Sequence, residues 1–139
     1  MPKREISRVA RISCIAGSTL FLATAVLHGS GYFQVGGAIS KSNASGFLEY
    51  VVPGLWAHFS IHLVILAEFG IVLAFSLHGT RTLLALLALA AATDAAWAFS
   101  LAGFFLGVAL PIAAALCFAF ATFAPDSPLK RPREKSGAT

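Results

Sequence analysis

Residues 55–77, LWAHFSIHLVILAEFGIVLAFSL, constrain this chain more than any other stretch. They are long and apolar enough to cross a bilayer, which takes roughly 20 residues as helix. They also carry His58, His62 and Glu68. An ionisable side chain at membrane depth is costly and commonly has a function.

Three further apolar runs surround this one, at residues 12–33, 82–103 and 104–124. With 58% hydrophobic and 12% charged residues among 139, the chain is too apolar for the surface of a soluble domain of this size. The expected fold is therefore all-α and integral to the membrane: a bundle of four transmembrane helices forming one domain. Residues 1–11 read as a basic cytoplasmic N-terminus and residues 125–139 as a basic, disordered C-terminal tail. Residues 34–54, rich in Gly, Ser and Asn, read as the one substantial outer loop. The first run also has the layout of a leader peptide. Its length and the lack of a small-residue cleavage site in AVLHGSGY favour a retained span.

The distribution of basic residues sets the expected orientation. Lys3, Arg4, Arg8 and Arg11 precede the first span, Lys41 lies in the outer segment, Arg81 in the turn with His78, and Lys130, Arg131, Arg133 and Lys135 in the tail. By the positive-inside rule both termini face the cytoplasm of a multi-pass protein, and a bacterial inner membrane is the expected location. The net charge of +4 thus reflects topology, and no nucleic-acid partner is expected. Tyr32, Tyr50 and Trp56 fit an outer aromatic belt, which is the ordinary reading of Trp56. Cys14 and Cys117 fall in apolar segments and read as small buried hydrophobes. Asn43-Ala44-Ser45 has the form of a glycosylation sequon. Pro111 either kinks the fourth span or begins it.

Helical rise brings several polar groups to similar depth. Measured from Trp56, His58 lies at ~3 Å, His62 at ~9 Å and Glu68 at ~18 Å. His28 comes out ~6 Å and Asp94 ~10 Å below the outer face of a ~30 Å core. By helical angle, His58, His62, Ile65, Phe69, Val72 and Ser76 form one stripe, with Glu68 at its edge. Gly17, Phe21, Thr24 and His28 form another, and Asp94 and Trp97 share a face of the third span.

These placements predict an intramembrane pocket for a lipophilic small molecule, with membrane lipid as its surroundings. Asp94, His62 and Glu68 would be the catalytic groups, and His28, His58, Trp56 and Trp97 would bind the ligand. Burial disfavours the charged forms of both a carboxylic acid and an imidazole, which suits acid/base work of an isomerase, hydratase or cyclase type. A second reading is a redox protein holding haem or a transition metal through His28, His58 and His62, since His58 and His62 are one turn apart. Phe59 follows His58, so the HExxH protease pattern is absent. A third reading is a structural or assembly subunit, with a partner subunit or a homo-oligomer covering Glu68. Interhelical polar contacts contribute only ~0.6 kcal/mol on average in a measured membrane protein, so they are ordinary as glue.

Overall fold

The computed structural model describes residues 7–43, 46–76 and 80–125. All of its regular structure is helical: α1 (Arg8–Ser30), α2 (Tyr32–Ser40), α3 (Gly46–Phe75), α4 (Thr80–Ala102) and α5 (Leu106–Phe123). Because α2 continues α1 beyond Gly31, the chain has four helical rods long and apolar enough to cross a membrane. Large apolar side chains cover their outer surfaces, with Val26, Leu101 and Leu116 each about two-thirds exposed or more. Such a surface suits lipid and would be a liability in water. The chain is thus of the multi-pass membrane type.

Helix α1 starts on Ser7, whose hydroxyl accepts from the Ala10 N–H at 3.2 Å and satisfies one of the helix's free donors. Its buried face includes Ala10, Cys14, Gly17, Phe21 and Thr24, spaced three or four residues apart. The corresponding face of α3 is Leu63, Ala67, Gly70 and Ala74. Small residues here have a direct purpose. A Cβ on Gly17 would come within 2.8 Å of the Phe118 ring from α5, and one on Gly70 would strike both that ring and Ser18. Phe118 is thereby wedged between α1 and α3, with the Phe21 ring 5.7 Å from its own. Close backbone approach through small residues is the usual way membrane helices pack.

The helices pack in the order α3, α1, α5, α4, and the ring closes through a light contact between α3 and α4. At one end of the bundle, two arginines tie antiparallel neighbours together. Arg11 donates from Nε to the Ala74 carbonyl at 3.1 Å and lies over the Phe75 ring, so α1 caps the end of α3. Arg81 donates from Nη2 to the Ala124 carbonyl at 3.1 Å, joining the start of α4 to the end of α5. A cation at a helix C-terminus also meets the negative end of the helix dipole.

Two sequence expectations need correction. The outer segment 34–54 is not a loop: α2 occupies its first part and α3 begins at Gly46, so only the short stretch between them is a connection. Its glycines suggested a loop, yet Gly36 and Gly37 lie within α2, which packs against α3. In α5, Pro111 is the sixth helical residue and does not begin the helix. The turn before it is made by Gly103, whose φ of +71° favours glycine. His78, the sequon's Ala44 and Ser45, and the tail from residue 126 lie outside the described residues.

Candidate functional site

Four polar residues of the spans, His28, Ser60, His62 and Asp94, gather at two connected places, both organised by α3. Trp56 and Ser60 are one turn apart and face α1, where they meet His28. The His28 imidazole stacks on the Trp56 indole at 4.0 Å with a 14° tilt, and Phe59 meets it edge-on at 4.9 Å. Its Nδ1 lies 3.0 Å from Ser60 Oγ. Trp56 Nε1 donates to the His28 carbonyl at 2.7 Å. That carbonyl also accepts from the Gly31 N–H at 3.0 Å, where α1 gives way to α2.

The Ser60 hydroxyl is directed at the Trp56 carbonyl, 3.5 Å away. The His28 Nδ1 and the Ser60 hydroxyl thus share one hydrogen bond, whose direction follows the tautomer of the imidazole. Gly31 makes the arrangement possible, because a Cβ there would sit 3.0 Å from the Trp56 ring.

One turn deeper, α3 turns toward α4. The Phe59 ring is 6.2 Å from that of His62, and His62 Nε2 lies 3.4 Å from Asp94 Oδ2. The contact spans the lightly packed α3/α4 seam. The two members differ in access: the His62 side chain is 41% exposed and that of Asp94 16%. Asp94 Oδ2 is itself buried and has no hydrogen-bond partner among the described residues. At 3.4 Å the pair is within ion-pair range and longer than a good N–H···O bond. It joins an imidazole reachable from the side to a carboxyl oxygen, Oδ2, that is buried.

The other expected members stand elsewhere. His58, Glu68 and Trp97 are exposed on the outer surface and line no common interior with Asp94. The stripe from His58 through Ile65, Phe69 and Val72 is the outward face of α3, because the small residues Ala67, Gly70 and Ala74 determine which face packs. On α1 the expected stripe does face inward: Gly17, Phe21 and Thr24 are buried and His28 is half-buried. The set His28, His58 and His62 does not converge. No three His, Cys, Asp or Glu side chains come together as metal ligands among the described residues. His58 faces outward, and the Phe59 ring touches those of both His28 and His62.

Sequence reasoning passed over Ser60 and Phe59. The spacing of Ser60 could have shown its part, since it continues upward the buried row of Leu63, Ala67, Gly70 and Ala74. Phe59 had no such mark among twelve phenylalanines. Among known proteins, no family model, curated protein or solved structure matches this chain.

Proposed function

We propose that the chain is a multi-pass protein of a bacterial inner membrane, with both termini cytoplasmic, and that His62 and Asp94 form an acid/base pair acting on a lipophilic small molecule. The observation that carries this reading is the pair itself. A buried carboxyl oxygen without a hydrogen bond faces a part-exposed imidazole across the thinnest seam of the bundle. A carboxyl and an imidazole in contact can exchange a proton, and the exposed member can pass it to a molecule arriving from the lipid. Asp94 would hold the proton, His62 would transfer it, and the aromatic group of Trp56, His28 and Phe59 would wall the approach. Isomerisation, hydration or cyclisation needs no more than proton donation and removal at defined atoms.

The test begins with lipid extracts of the protein purified in mild detergent, compared with Asp94→Asn and His62→Ala. A specific apolar compound bound to the wild type and lost from both variants supports the reading. A wild type carrying only bulk phospholipid opposes it. A second reading, a subunit of a membrane assembly, is favoured by one separate observation, the exposed carboxylate of Glu68.

A further inference from the structure

Arg8 and Arg11 stand at the end of the bundle where α1 starts and α3 finishes. Three residues apart, they are neighbours on one side of α1. Arg8 is exposed and makes no hydrogen bond or ion pair among the described residues. Arg11 uses Nε on the Ala74 carbonyl and lies over the Phe75 ring, and its two terminal nitrogens meet no acceptor among the described residues. The nearest acid along α3, Glu68, is six residues from Ala74, ~9 Å deeper. Two guanidiniums therefore share this rim without a described carboxylate to pair with them.

The surface next to them is an apolar crease between two helices. Steps of seven residues lead from Arg8 to Ile15 and Leu22, a line down one side of α1. Because Arg11 meets Ala74 and a Cβ on Gly70 would strike Ser18, Ile15 of α1 and Ile71 of α3 lie at the same level. Ile15, Leu22 and Ile71 are between 37% and 40% exposed, whereas Ile12 and Val72, further round their helices, are 56% and 60% exposed. The half-covered residues are thus the walls of the crease, and the others its shoulders. Its floor is the most extensive helix contact of the bundle, that of α1 with α3. From Arg8 to Leu22 the line runs ~21 Å, longer than one leaflet's half of a ~30 Å hydrocarbon layer.

We infer that this crease holds one anionic phospholipid, its phosphate between the Arg8 and Arg11 guanidiniums and an acyl chain along Ile15, Ile71 and Leu22. Guanidinium groups match phosphate oxygens in geometry and charge, and they shed water more readily than ammonium groups. The paired cations select an anion, and the apolar walls beside them select an anion that carries a chain. A zwitterionic lipid has the chain but brings a cation of its own. A soluble phosphate has no chain to lay in the crease. The site lies on the α1/α3 side of the molecule, so it stands whether or not His62 and Asp94 perform acid/base chemistry.

The test is native mass spectrometry of the full chain in detergent, titrated with phosphatidylglycerol and with phosphatidylcholine of the same acyl chains. One phosphatidylglycerol should bind about tenfold or more tightly than phosphatidylcholine. Arg8→Gln removes no contact within the described protein and should weaken phosphatidylglycerol by about fivefold, the effect of one basic residue at a membrane surface. Lys41→Gln, at the other end of the bundle, should leave it unchanged. Ile71→Trp fills the crease while both charges remain, and should also weaken it; circular dichroism should show all variants as helical as the wild type. Glycerol phosphate, a headgroup without chains, should not displace the lipid. Equal binding of the two lipids, wild-type binding by Arg8→Gln or Ile71→Trp, an equal loss in Lys41→Gln, or displacement by glycerol phosphate would overturn the site.

Discussion

Trp56 joins three parts of the molecule at once: its N–H holds the His28 carbonyl near the end of α1, its ring stacks on His28, and it packs over Gly31 where α2 begins. Trp56→Phe keeps a ring but removes the donor, and should lower stability by ~1 kcal/mol, the worth of one hydrogen bond. Trp56→Ala should lower it further by removing the stack as well. Unfolding in mixed micelles, followed by circular dichroism, measures both. Equal losses for the two variants would mean that the N–H, and not the ring, does the holding. Sequence reading placed Trp56 in an aromatic belt, because an indole near a predicted interface is usually there for the headgroups. The partner that changes its role, the His28 carbonyl, is a backbone atom and leaves no mark in a sequence.

At the scale of the elements, the packing depends on where side chains are absent. Gly70→Val should destabilise by ~2 kcal/mol or more, because the added methyl groups meet Phe118 and Ser18, which cannot both withdraw. Gly37→Val, where nothing lies within 4 Å, should change stability by less than ~0.5 kcal/mol. The same micelle unfolding experiment compares them, and similar effects at both sites would refute the Phe118 wedge. Arg11→Ala and Arg81→Ala should each lose ~0.3–1 kcal/mol through the freed carbonyl and the helix dipole. Because they sit on different helix pairs, their losses should add in the double variant. The four apolar rods were legible in composition and length, but at the outer segment the first runs seven residues further than expected, to Ser40, and the second begins nine residues earlier, at Gly46. The face of α3 was read in reverse, because its histidines were given more weight than its row of small residues. In a membrane, polarity marks what is unusual, while small residues mark what is packed.

For the whole molecule, the order α3, α1, α5, α4 leaves one thin side, and the His62–Asp94 contact lies across it. Depth along each helix brought these two residues to a similar level from sequence alone. Sequence reading made His62 the partner of Asp94 on depth alone, whereas their contact depends on which helices become neighbours. The proposed orientation predicts that a cysteine replacing Lys41 reacts with an impermeant reagent from outside intact cells, and that one replacing Thr82 reacts only after permeabilisation. Labelling of both from the same side would refute four crossings.

A His62–Asp94 pair that moves protons to and from a bound apolar molecule exchanges that molecule's hydrogen with solvent. This exchange is tested most directly by holding the purified protein, with its co-purified ligand, in D2O and weighing the ligand by mass spectrometry. Deuterium is expected at a carbon position of the ligand with the wild type, and none above the protein-free rate with Asp94→Asn. A ligand recovered unlabelled from the wild type, or labelled equally by Asp94→Asn, would contradict it.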